Sequence, residues 1–416
     1  MKEAIEISTL PNGIRVVSER VDYVESASIG IWIGSGARYE PSMRSGISHF
    51  IEHMLFKGTA NRTAKEIAGE IESRGGSINA FTNKEFTCYY ARSLAEHTPL
   101  TLEILADMIR NPLLEPAEIE REQRVVLEEI RSVNDTPEDL VMDIFERALW
   151  QRHPLGRSVL GTNSTIRAVN RETLLQHLQQ FYTPDRIVVS AAGLISHPDL
   201  VRMVERALGD LPPRQSSNSV TTPRSTSGNK LLKRRIEQVH FVIGYPTFGQ
   251  HDQRRYALSV LDMVLGGNMS SRLFQEIREK RGLVYHISSY SHLYADVGFF
   301  SVIGGTGADT YDTVMDLINV EMTKVVNEGI SEDELSKAKT QTRGALILGL
   351  ESMGTRMMRM GRSILVHNRV IPIQEITDQV ECLTRGDIHQ VAQELFGNRQ
   401  YMAARIGPAA RVGANQ

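Results

Sequence analysis

The chain has 416 residues, enough for two domains of about two hundred residues each. Its 47 basic and 50 acidic residues leave a net charge of -3, and Lys and Arg are dispersed, which excludes the basic footprint of a nucleic-acid binder. Two cysteines, Cys88 and Cys382, exclude a disulfide framework and suit a reducing compartment.

The opening Met1-Lys2-Glu3-Ala4-Ile5-Glu6-Ile7 has no apolar leader core and lacks the Arg-rich, acid-poor character of a transit peptide. No apolar run approaches the length of a membrane span. A cytoplasmic protein with no membrane partner is the expectation. Ala27 to Trp32 reads as a short alternating strand.

His49-Phe50-Ile51-Glu52-His53 then reads H-x-x-E-H, the inverted form of the zinc-protease helix motif. Ser45 or Ser48 is placed to cap this helix, and Gly58 to close it. On a helix, residues four apart share a face, so His49 and His53 can offer two imidazole nitrogens to one metal. Glu52 sits at the edge of that face, within reach of a water on the metal without ligating it. A catalytic zinc needs a third protein ligand, and two histidines with a glutamate form one of the known sets.

Gly75 to Thr82 leaves a helix and runs into Phe86 to Ala91, a strand pair that is an internal hairpin or a sheet edge. Thr101 to Ile109 is helical. So is Glu120 to Ile130, where Glu122 and Glu129 are two turns apart on one face and Glu128 points about a hundred degrees away. Thr136 and Pro137 open the next helix, which carries Asp139 and Asp143 four apart. Three residues after Thr136, Asp139 can equally be a carboxylate that stabilises the helix N-terminus.

Leu211 to Lys230 is rich in Ser, Thr and Pro and reads as a linker between domains 1–210 and 231–416. The second half brings a strand at His240 to Tyr245 and a helix at Tyr256 to Met263, where the first half has His49 to His53. A glycine turn, Gly266 to Leu273, without the pattern of a phosphate loop, leads into a helix carrying Arg278. Tyr285 follows seven residues later, and the pair alone reads as a surface arginine and a strand tyrosine. A strand at Gly298 to Ile303 and a helix from Tyr311 complete a faint repeat of the first half as helix, hairpin, helix. Ser331 to Glu334 forms a capping box for a long helix ending near Leu350. Met353, Met357, Met358 and Met360 read as core or interface packing, and the tail after Gly407 as disordered. Short alternating strands among longer helices imply an α+β fold: two similar domains, each a largely antiparallel sheet with helices on one face.

His49 to His53, followed 76 residues later by Glu129, resembles the pitrilysin/insulinase family of zinc metallopeptidases. The flanking text is most similar to the subfamily of mitochondrial processing peptidase and its bacterial relatives, from about Leu10 to the low four hundreds. The resemblance implies His49, His53 and Glu129 as ligands of one Zn2+ per chain, the second half having none of them. It implies Glu52 as general base, ionised beside the dication, and Glu122 as a glutamate that orients a ligand. Arg278 and Tyr285 match a pair that binds the substrate backbone and the developing oxyanion. Asn79, Ala80 and Phe81 match the exposed edge onto which a peptide substrate adds as a strand. Phe56 matches an apolar wall for the residue after the cut, although a core phenylalanine reads equally well. Asp139 and Asp143 match the acidic pair that recognises a basic residue near the cut.

The activity implied is therefore a zinc endopeptidase for unfolded or precursor peptides, and the alternative is a non-catalytic partner subunit of the same fold. Longer relatives close a clamshell with four such domains. A two-domain chain is then expected to act as a homodimer, or as a heterodimer with a paralogue.

Overall fold

The computed structural model describes residues 3–214, 220–398 and 400–408. The first half contributes strands β1 (Ile5–Thr9), β2 (Arg15–Arg20), β3 (Ser26–Ile33), β4 (Ser77–Thr82), β5 (Thr87–Leu94) and β6 (Ile187–Gly193). Its helices are α1 (Ile47–Leu55), α2 (Ala64–Glu72), α3 (Thr98–Arg110), α4 (Pro116–Asp135), α5 (Pro137–Leu149), α6 (Asn163–Arg167), α7 (Arg171–Phe181) and α8 (His197–Leu208). The second half adds β7 (Gly228–Lys233), β8 (Gln238–Phe248), β9 (Val284–Leu293), β10 (Val297–Gly307) and β11 (Met402–Gly407). With them come α9 (Arg255–Leu265), α10 (Tyr311–Glu328), α11 (Glu332–Gly349), α12 (Met353–His367), α13 (Ile373–Cys382) and α14 (Arg385–Phe396).

Two sheets follow one plan. The first has the order β1-β2-β6-β3-β5-β4 and the second β7-β11-β8-β10-β9. Setting β2 against β7 brings β6 onto β11, β3 onto β8, β5 onto β10 and β4 onto β9. Each sheet has one parallel pair, β2–β6 or β7–β11, and every other pair is antiparallel. The repeat seen in the sequence is thus a repeat of topology, and β4 and β9 are corresponding edge strands.

The central strands explain how the helices are distributed. From Ala27 to Ile33, β3 is buried at every residue, so both of its faces need cover. On one face Ile29, Ile31 and Ile33 pack with Phe50, Ile51, Met54 and Leu55 of α1 and with α3 and α8. On the other, Trp32, Cys88 and Val188 pack with Met357, Met360 and Ile364 of α12. In the second sheet, Phe241 and Ile243 face α9 and α14, while Val242 and Phe299 face Phe145 and Leu149 of α5. The expected helices on one face are present, and each sheet carries one more on its second face.

Glycine makes room for these extra helices. A Cβ at Gly30 of β3 would meet Met357 Sδ at 2.6 Å, and one at Gly244 of β8 would meet the Phe145 ring at 2.1 Å. A buried ion pair between Arg356 and Glu19 also pins α12 to β2.

The compact units are therefore built by exchange. One comprises Met1–Arg131, Arg157–Thr221 and Gly349–Pro372, and the other Ser132–Gly156, Thr222–Leu348 and Ile373–Gln416. The contiguous halves expected from the sequence differ from these units by α5 and α12. The stretch read as a linker includes the start of β7, and its residues 215–219 lie outside the described residues, as do residues 409–416 of the tail. The capping box of α11 is present: Ser331 N donates to Glu334 Oε2 at 2.8 Å, and Glu334 N to Ser331 Oγ at 3.2 Å. Among the described residues no helix is long and apolar enough to cross a membrane.

Candidate metal centre

The motif helix α1 is amphipathic. Phe50, Ile51, Met54 and Leu55 are buried, which turns His49, Glu52 and His53 to the half-buried side. Its start is fixed differently from expectation. Ser45 and Ser48 do not cap it: the N-cap is Gly46 (φ 91°), with no side-chain cap. Instead the buried Glu40 accepts from Gly46 N at 2.7 Å and from Ser48 N at 2.8 Å. A carboxylate from the preceding loop thus satisfies the free amides and complements the helix dipole. Gly58 (φ 125°) lies beyond the end of the helix, in the turn that pairs with Thr63.

Helix α4 supplies the third side chain. His49 Nε2 lies 3.8 Å from Glu129 Oε2, and His53 Nε2 lies 3.6 Å from Glu129 Oε1. One ligand atom from each of His49, His53 and Glu129 falls within 4.8 Å of the others, the one such group among the described residues. Zinc with bonds of about 2.0–2.2 Å in a tetrahedral site places its donors roughly 3.3 Å apart, so small side-chain rotations close the set.

The residues fit such an ion on a second count. Glu129 Oε2 and Glu52 Oε2 are buried and find no hydrogen-bond partner among the described residues. Buried carboxylate oxygens are seldom left this way; a cation at the centre of the group would answer that of Glu129, and a water beside the cation that of Glu52.

The electrostatics agree with a ligand set. Burial, with a contribution from His53, pulls His49 down to about 4, so its imidazole is neutral at pH 7 and its lone pair is available. Burial also works to lower His53, but the hydrogen bond to Glu122 and the charges of Glu129, Glu122 and Glu52 outweigh it and raise its pKa. Without a metal, burial lifts Glu52 above the ordinary carboxylate range, opposed by a hydrogen bond from Thr82. A dication beside Glu52 would oppose that rise and favour the ionised form expected from the sequence.

Glu122, two turns before Glu129, is only 2% exposed and lies on the same side of α4. Its Oε2 is 3.1 Å from His53 Nδ1, and its Oε1 is 2.6 Å from Lys57 Nζ. Burial works against the Glu122 charge, yet the hydrogen bonds from His53 and Lys57 hold its carboxyl below the usual range. Glu128 points away and pairs with Arg131 at 2.6 Å.

The other residues singled out in the sequence are distributed as follows. Phe56 caps the C-terminus of α1 and is half-buried against the core. β4 is the edge of its sheet, Asn79 is exposed, and Ala80 N donates to Asn79 Oδ1 at 2.8 Å. The Phe81 side chain is turned away from α1. Its ring packs edge-on to Trp32 at 5.8 Å on the opposite face of the sheet, because side chains alternate along a strand. Thr82, which alternation returns to the α1 face, bonds Glu52. Thr82, Lys57 and Glu40 were not anticipated; the one local signal was the spacing of Lys57, four residues after His53.

Arg278 and Tyr285 come together in the second unit. Arg278 lies on a π-helical turn, Phe274–Glu279, where an ordinary helix was expected. Its guanidinium carbon is 4.7 Å from the Phe274 ring centre and 5.4 Å from that of Tyr285, which is 83% exposed. Such turns recur at functional sites. Asp139 and Asp143 lie on α5, also in the second unit, Asp139 exposed and Asp143 half-buried. Thr136 does not cap α5 with its side chain, since its hydroxyl donates back to Ser132 O at 2.9 Å.

Comparison with known proteins accords with this geometry. Residues 15–163 match the family model described as insulinase (peptidase family M16), and residues 168–342 match that of the peptidase M16 inactive domain. The second span contains none of His49, Glu52, His53 and Glu129. The chain is 38% identical over 404 residues to the uncharacterized zinc protease YmxG of Bacillus subtilis, covering 97% of this chain and 98% of that one. It is 41% identical to an uncharacterized zinc protease of Mycobacterium leprae, covering 97% and 92%. The fold matches a protease from Helicobacter pylori (TM-score 0.90, 22% identity, 98% of this chain and 100% of that one). It also matches a peptidase M16 inactive domain from Pseudomonas fluorescens (TM-score 0.92, 18% identity, 98% of each), and at such identities the likeness concerns fold alone. The family models and the close relatives establish that this chain belongs to the insulinase family of peptidases, family M16, whose members among its relatives are named zinc proteases.

Proposed function

We propose that this chain is a zinc-dependent endopeptidase acting on unfolded or precursor peptides, with one zinc per chain held by His49, His53 and Glu129. The observation that carries this reading is the convergence of those three side chains beside the unpartnered carboxylate oxygen of Glu52. When bound, zinc supplies an acidified water and polarises the scissile carbonyl. Glu52 takes the water's proton and passes it to the departing amine, with Thr82 orienting it. Glu122 holds His53 Nδ1 and leaves Nε2 for the metal.

The free edge of β4 receives the peptide as another strand, the Ala80 amide exchanging Asn79 Oδ1 for a substrate carbonyl. A folded segment cannot add in this way, which restricts substrates to unfolded ones. Arg278 and Tyr285 supply donors for the substrate backbone and the developing oxyanion. A chelator should abolish cleavage of an unstructured peptide, and added zinc should restore it. Glu52→Gln should bind zinc as before and lose on the order of 10²-fold or more in turnover. A Glu52→Gln chain cleaving at near-normal rate would sink the assignment, and a natural chain with no chelator-sensitive cleavage would favour a non-catalytic subunit.

Two finer features belong to the same reading. Asp139 and Asp143 favour a basic residue just upstream of the cut, so peptide-library cleavage should show an arginine preference that the Asp139→Asn, Asp143→Asn chain loses. The chain acts as a homodimer in which Arg278 and Tyr285 of one subunit serve the metal of the other. Mixing Arg278→Ala and Glu52→Gln chains should then restore part of the activity; no rescue despite demonstrated subunit exchange counts against it.

A further inference from the structure

The two oxygens of Glu122 are held by different partners. Oε2 faces His53 Nδ1 at 3.1 Å, and Oε1 faces Lys57 Nζ at 2.6 Å. Lys57 is itself fixed in the turn that closes α1: its amide donates to Met54 O at 3.1 Å, and the next residue, Gly58, is paired with Thr63 and accepts from Leu113 N at 3.1 Å. Its ammonium is therefore delivered from a tied-down backbone, four residues beyond His53.

We propose that Lys57 is a positioning residue for the metal centre, fixing through Glu122 the orientation of His53. A buried carboxylate is acceptor-only, and both of its oxygens require donors. With Oε1 locked by a charge-assisted hydrogen bond, Oε2 has one place to point, His53 Nδ1. A neutral imidazole carries one N–H, and directing it to Glu122 leaves the Nε2 lone pair on the side of Glu129. Without the ammonium, Oε1 would be buried and unmatched. The carboxylate would then be free to rotate away from His53, loosening one of the three ligands.

This inference rests on the metal-centre reading above, and full-length chains measured by zinc–chelator competition separate the two. The natural chain is the control; if it binds no zinc, the centre itself is refuted and the role of Lys57 with it. If it binds, Lys57→Met should bind zinc roughly 10- to 100-fold more weakly, the range for partners of metal-ligating side chains. Lys57→Arg should recover most of that loss. In a Glu122→Gln background the Lys57→Met change should add nothing, a result that loss of packing alone would not produce. Unchanged zinc affinity in Lys57→Met overturns the proposal, and so does a full additional loss in the Glu122→Gln background. If Lys57→Met alone does not fold, the Lys57→Met, Glu122→Gln chain decides: affinity equal to Glu122→Gln supports the role, and affinity well below it overturns it.

Discussion

His177 packs against the metal helix, with Nε2 3.4 Å from Ser48 Oγ and its ring 4.5 Å from that of Phe181. Burial, with the charges of Arg44 and Arg186, lowers its pKa from 6.5 to about 3. Between those values the unfolded chain binds a proton that the folded chain refuses, so stability is complete above pH 6.5 and declines as pH falls towards 3. At about 1.4 kcal/mol per unit the effect is at most about 5 kcal/mol. In metal-free protein, unfolding free energies from urea titrations should fall less steeply between pH 6 and 4 for His177→Asn than for the natural chain; equal slopes refute this. His177 carried no signal in the sequence, because its meaning lies in what surrounds it. His49, His53 and Glu52 were legible because helix periodicity places them on one side regardless of tertiary context. Lys57 and Thr82 were not, since their partners Glu122 and Glu52 are distant in the chain.

At the scale of elements, periodicity located helices and strands well and their ends less well. β3, β8 and β10 appeared as alternating runs, and all three extend past the expected bounds because pairing continues beyond them, on both sides for β3 and β10 and with β10 alone for β8. Helix starts misled where hydroxyl residues were read as caps. Ser45 and Ser48 yield to Glu40, whose two oxygens accept from six and eight residues away, and the Thr136 hydroxyl turns back to α4. The Ser331 box was read correctly because both of its partners are local. Phe81 shows the cost of naming a strand segment without its parity. Backbone on a sheet edge is available to a substrate along its length, but only alternate side chains face the metal helix, and Phe81 belongs to the other set.

The exchange of α5 and α12 belongs to the whole molecule, and no local pattern announces it. The polar sequence at 211–230 runs into β7, but which sheet a later helix covers is fixed by shape, with the buried Arg356–Glu19 pair added for α12. Gly30 receives Met357, and Gly244 receives Phe145. The methionines of α12 were legible as packing and not as packing on the first sheet. The consequence is testable by cutting the chain. A fragment comprising 1–210 retains the motif helix, α4 and all six strands of the first sheet, yet lacks the cover for Val17, Trp32, Phe86 and Val188. At about 1.5–3 kcal/mol for each large apolar side chain uncovered, the deficit approaches the whole stability of a domain, about 5–15 kcal/mol. The 1–210 fragment alone should be aggregation-prone and bind an apolar dye. Extending it through a flexible linker to residues 349–372 should bind less of the dye and restore a cooperative thermal transition. If 1–210 by itself melts cooperatively at the temperature of the extended fragment, the second face of the sheet does not need α12, and cover for that face is not what holds the helix on the first unit.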